Sequence, residues 1–119
     1  PFIDALAHID YIARNATFDN PELSYGDFTD DIDAVLRALV ETDTAIEINT
    51  RRLGTPRGIK ELAPIYRRYY ELGGRYVTIG SDAHVPEGVG RNYHRARELA
   101  CAFDLQIVAF RERKMQTCE

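Results

Sequence analysis

The chain is predicted to fold as an α/β domain, with parallel strands covered by helices. Short apolar runs alternate with stretches of helical periodicity in the order β-α-β-α-β-α-β. Each strand candidate is mostly apolar along its length, as strands buried on both faces are. Segments rich in Gly, Pro and Asn separate the elements, which suits short crossover connections. Four such strands make a slice of a barrel or a small doubly wound sheet. In either case functional groups gather at the carboxyl ends of the strands.

The elements follow in order. Residues 3–9 read as a buried strand, with His8 near its end, and residues 14–27 as a loop containing Asn-Pro and Tyr-Gly-Asp. A helix is predicted over 30–42, with Thr29 as N-cap and Ile32, Val35, Leu36, Leu39 and Val40 as its apolar stripe. Residues 45–49 form the next strand, and 51–58 a loop rich in Gly, Pro and Arg. A second helix starts at Lys60 or Pro64, since proline suits a first turn, and ends at Gly73-Gly74. Tyr66, Tyr69 and Tyr70 at helical spacing are packing residues. A strand over 75–79 leads into Gly80-Ser81-Asp82-Ala83-His84, then a turn at 85–88. A third helix covers 90–103, with Tyr93, Ala96, Leu99, Ala100 and Phe103 inward and His94 exposed. A last strand covers 106–110, and a charged tail follows.

Composition narrows the function. The 119 residues suffice for one modest domain, and 45% hydrophobic with 29% charged residues is ordinary for a globular protein. The net charge of −4, without a basic stripe, argues against nucleic acid as a partner. No apolar run approaches the roughly 18 residues that span a bilayer, so no membrane partner is expected. Two cysteines in unrelated contexts suit a reducing, cytoplasmic compartment. The start at Pro1-Phe2-Ile3, without Met and inside an apolar segment, reads as the downstream part of a longer chain.

The chemistry is expected at the strand ends. On extended backbone, residues i and i+2 point the same way, so Asp82 and His84 can converge on one cation. Carboxylate and imidazole are proper ligands for Zn, Mn or Fe. His8 with Asp10 and Glu47 with Asn49 are similarly placed at the ends of the first two strands. Each has a plainer alternative. His8 can be a hydrogen-bonded core histidine, Asp10 a capping residue and Asn49 a strand terminator. Glu47 in an apolar strand needs a cation or donors, and an arginine would serve as well as a metal. Arg111 and Arg113 sit in a charged run of the kind usually solvated. No Gly-rich phosphate loop, Gly-x-Ser-x-Gly elbow or Cys-x-x-Cys competes.

Several stretches together carry a resemblance. They are Asp4-Ala-Leu-Ala-His8-Ile-Asp10, Glu47-Ile-Asn-Thr50, residues 70–84 ending in Gly-Ser-Asp-Ala-His, Pro86-Glu-Gly-Val-Gly90 and Val108-Ala-Phe-Arg-Glu-Arg113. In this order they resemble the C-terminal half of histidinol-phosphatases of the PHP (polymerase and histidinol phosphatase) family. The resemblance covers essentially all of residues 1–119. It implies the C-terminal part of a distorted (βα)7 barrel, with a cluster of up to three divalent metals (Zn, Mn or Fe) at the strand ends. It also implies hydrolysis of L-histidinol phosphate to L-histidinol and phosphate, in histidine biosynthesis. It assigns His8, Asp82 and His84 as metal ligands, with Asp82 and His84 catalytic, and it puts Glu47, Asn49 and Arg113 near the substrate. The family's opening His-x-His strand is absent. The chain alone is therefore expected to be inactive, and to self-associate or to pair with a missing N-terminal half. The other readings are a PHP-type phosphoesterase for a different phosphorylated metabolite and a non-catalytic α/β interaction module.

Overall fold

The computed structural model describes residues 2–17 and 19–118. Strand β1 is Ala5–Leu6, followed by a single turn of helix, α1, at Tyr11–Arg14. A 3-10 turn at Tyr25–Asp27 precedes α2, Thr29–Glu41. Then come β2 (Ala45–Asn49), a 3-10 turn (Thr50–Gly54), α3 (Pro56–Glu71) and β3 (Tyr76–Gly80). A 3-10 turn at Pro86–Gly88, α4 (Tyr93–Ala102), β4 (Gln106–Arg111) and β5 (Lys114–Thr117) complete the fold. The sheet order is β1-β2-β3-β4-β5. The first four strands are parallel and β5 is antiparallel to β4.

Ile46, Ile48 and Val77 are wholly buried and share one core with Leu36 of α2, Ile65 and Tyr66 of α3, and Ala96 of α4. Each large apolar side chain so buried contributes roughly 1.5–3 kcal/mol. Alternation along β2 then turns Glu47 to the face away from this core, beside Thr78 of β3. The Tyr66 hydroxyl, buried within the core, donates to the Glu47 carbonyl at 2.9 Å and ties α3 to the strand that carries the site.

Several sequence expectations are corrected. Only Ala5–Leu6 of the first predicted strand pairs with β2. Thr29 is the first residue of α2 rather than its cap, and its hydroxyl donates back to the Tyr25 carbonyl. Helix α3 begins at Pro56, because the Thr55 hydroxyl accepts from the Gly58 N–H at 3.1 Å and caps it there. Pro64 therefore lies inside the helix, where its missing N–H leaves the carbonyl of the exposed Lys60 to solvent. Helix α4 starts three residues late because Asn92 takes a left-handed φ of 55°. Val35 and Tyr93 are about two-fifths exposed rather than inward. The charged tail is β5, turned back on β4 through Glu112 and Arg113. Both have left-handed φ, 51° and 63°, which matches the twist of a two-residue hairpin loop.

The Arg113 guanidinium reaches Asp4, just before β1, at 3.1 Å. In a flat sheet β1 and β4 would be about 14 Å apart, so this contact requires the sheet to curl.

Asp33 of α2 accepts from the Tyr25 hydroxyl at 2.7 Å and from Arg68 Nη2 of α3 at 2.7 Å. The bonds from Arg68 hold the carboxyl near pKa 2, against partial desolvation and with help from Tyr25. A depressed folded-state pKa stabilises the fold above the unfolded value near 3.8, and that contribution is lost as pH falls toward 2. The urea midpoint should fall over this window, and Asp33→Asn should flatten the fall. An unchanged slope in the variant would show that the pair contributes nothing.

Candidate active site at the strand ends

The strand ends form a rim whose residues depart from extended geometry. His8 (φ 31°) and Asp82 (φ 48°) both adopt left-handed backbone, a conformation that costs a non-glycine residue free energy. The i, i+2 alternation invoked for Asp82 and His84 therefore does not operate. Instead the His84 ring turns back, and its Nδ1 lies 2.8 Å from the Asp82 carbonyl. A carbonyl only accepts, so this contact places a proton on Nδ1, and in the neutral tautomer that leaves Nε2 as the acceptor nitrogen.

Two arginines from segments that the sequence predicts as loops meet the Asp82 carboxylate. Arg14 Nη1, from the last turn of α1, is 3.0 Å from Asp82 Oδ2, and Arg51 Nη1, from the 3-10 turn after β2, is 3.6 Å from the same oxygen. Arg51 Nη1 is also 3.4 Å from His84 Nδ1. A cavity of about 320 Å³ opens here, lined by His8, Asp10, Arg14, Asn49, Arg51 and Asp82. A smaller one of about 150 Å³ lies beside it, lined among others by Arg51, Ser81, Asp82, His84 and Arg91. Asp82 and Arg51 belong to both.

The structure thus brings His8 and Asp82 to one cavity, and Asp82 and His84 to its neighbour. Asn49 lines the first cavity, but its Oδ1 caps the next turn by accepting from the Arg51 N–H at 3.0 Å. The Glu47 carboxylate is turned to the His8 N–H through Oε2 and to Gly80 through Oε1. Arg113 lies apart, in the β4–β5 turn, paired with Asp4. The imidazole and carboxylate donors suit zinc by type. Among the described residues, however, no three His, Cys, Asp or Glu side chains converge to hold a metal ion. The donors of this chain do not make a closed metal site by themselves.

Asp10 is buried and accepts from Arg52 Nη1 at 2.9 Å, while the other arm of Arg52 binds Glu22. This pair straps Glu22 against the turn that carries Arg51.

A "Probable histidinol-phosphatase" from Clostridium acetobutylicum is 47% identical over 115 residues, which is 97% of this chain and 45% of that protein. The chain matches a fragment of histidinol-phosphatase. A second "Probable histidinol-phosphatase", from Thermotoga maritima, is 37% identical over 94% of the chain and 46% of its own length. The chain thus spans about half the length of the histidinol-phosphatases it matches. The crystal structure of histidinol phosphate phosphatase from Lactococcus lactis, complexed with Zn, L-histidinol and phosphate, superposes with a TM-score of 0.80. That likeness covers 95% of this chain and 43% of the other at 24% identity, and it shows a shared fold. No family model matches the chain. Among the described residues, no helix is long and apolar enough to cross a membrane.

Proposed function

We propose that the chain carries part of the active-site rim of a histidinol-phosphatase, a cytoplasmic phosphoric monoester hydrolase that releases L-histidinol and phosphate from L-histidinol phosphate. In this reading it is the C-terminal half of a PHP-type barrel. The rim would be completed by polypeptide of the kind its relatives possess, so the chain alone is inactive. The observation that carries the reading is the convergence of Arg14 and Arg51 on one oxygen beside His8 and His84. Asp82 holds these two guanidiniums in place, and an incoming phosphoryl group would compete with it for their forks, which a neutral substrate would not do.

The roles divide as follows. Arg14 and Arg51 bind the phosphoryl oxygens and balance the charge that grows on them as the ester bond breaks. Arg113 lies apart in the β4–β5 turn, and Glu47 and Asn49 are turned to backbone donors, so we give the phosphate contact to Arg14 and Arg51, which line the cavity. His8, Asp82 and His84 are this chain's share of ligands for divalent metal, with Nε2 of His84 presented by its bond to the Asp82 carbonyl. Zinc is favoured by the Lactococcus lactis complex, and manganese or iron would suit the same donors. The chemistry such ions supply is hydroxide at neutral pH.

The test uses the full-length protein and a panel of phosphate monoesters. L-histidinol phosphate should be turned over best, and Asp82→Ala should lower its turnover by at least about 100-fold. Full turnover in that variant would end the assignment. Preference for another ester would move the substrate, and hydrolysis of none would favour an interaction module.

A further inference from the structure

We propose that Glu47 is a positioning residue that holds the His8 backbone in its left-handed conformation and locks the ends of β1, β2 and β3 together. The proposal rests on the phosphatase reading for the role of His8, but the geometry stands independently of it. Glu47 Oε2 accepts from the His8 N–H at 2.8 Å, a charge-assisted bond from β2 to the connection just past the end of β1. The same oxygen accepts from the Asn49 side chain, whose Nδ2 is 3.4 Å away. The other oxygen, Oε1, lies over Gly80 at the end of β3, where a Cβ would be 1.9 Å from it. The register places Gly80 opposite Asn49, so the carboxylate spans the junction of all three strand ends.

Glycine at residue 80 is thus explained by the space that Oε1 occupies rather than by a special φ. The strained backbone at His8 is likewise explained by the acceptor placed for its N–H. A carboxylate in a parallel strand needs donors, and here it finds them in the backbone of a candidate ligand. Removing the acceptor frees His8 to relax to ordinary backbone and swings its ring away from the rim. Outer partners of this kind affect metal affinity by about 10- to 100-fold when removed.

The experiment compares Glu47→Ala, Glu47→Gln and Gly80→Ala in the full-length protein, reading His8 amide exchange by NMR and Co2+ affinity by titration. The Ala variant at 47 should exchange the His8 amide at least about 10-fold faster and bind Co2+ about 10- to 100-fold more weakly. Gly80→Ala should act in the same direction because it displaces Oε1. Glu47→Gln retains an acceptor oxygen and should stay within about three-fold of the parent in both readouts, a rescue that a general loss of packing would not show. The inference is overturned if Glu47→Ala leaves the His8 amide protected, or if the Gln variant loses as much as the Ala variant. Amide exchange requires no metal. If His8→Ala leaves Co2+ affinity unchanged, the ligand assignment fails while the positioning role is still decided by exchange.

Discussion

Replacing Arg14 or Arg51 by alanine in the full-length protein should lower turnover of histidinol phosphate by about 100- to 1,000-fold, the usual cost of removing one group that neutralises developing charge. Both guanidiniums lie against Asp82 Oδ2, at 3.0 and 3.6 Å, and both remain reachable from solvent, with side chains 29% and 40% exposed. An incoming phosphoryl group can therefore reach them without unfolding the rim. Arg14→Lys should recover little, because an ammonium lacks the planar fork that spans two oxygens. The double variant should lose less than the product of the single losses, since the two arginines act on one group. Stability should barely change, because ion pairs this exposed contribute about 1 kcal/mol or less. Steady-state kinetics with matched urea curves check both halves. Turnover within about three-fold of the parent would remove the arginines from the reaction.

The opposite profile is expected at Arg52. Its guanidinium lies between Asp10 and Glu22, whose side chains are only 7% and 8% exposed. Arg57 approaches Glu22 from outside at 3.5 Å but does not reach Asp10 in this arrangement. Arg52→Ala should therefore leave a buried carboxylate without its cation and destabilise the protein by about 3–5 kcal/mol. Lysine at 52 should recover only part of this, because it cannot serve both acids in one plane. Urea denaturation measures it. A loss below about 1 kcal/mol would mean that the acids find other partners or bind protons.

These three arginines also mark where reading the sequence stops. Asp82 and His84 were legible because they follow an apolar run that could only be a strand, and strand ends are where α/β proteins collect polar groups. His8 was legible for the same reason. Arg14, Arg51 and Arg52 were not, because an arginine in a loop is usually solvated and nothing local sets these three apart. Arg14 meets Asp82 across 68 residues of sequence. Strand β5 was missed because Lys-Met-Gln-Thr is exposed along its whole length and carries no alternation to signal a sheet. The start of α3 was missed because Pro56 and Pro64 are equally good first-turn residues, and only the hydroxyl of Thr55, bonded to Gly58, decides between them.

The order of the four parallel strands and of α2, α3 and α4, the buried faces of β2, α2 and α3, and the end of the sheet that carries the proposed site were determined by the sequence alone. Burial of apolar side chains repeats with the period of the backbone, and that period is written locally. The tertiary structure alone decided which charge meets which: Asp82 with two arginines, Glu47 with the His8 backbone, Arg113 with Asp4. A charge responds to distance through space, and segments far apart in the chain acquire that distance only when the curled sheet brings them together.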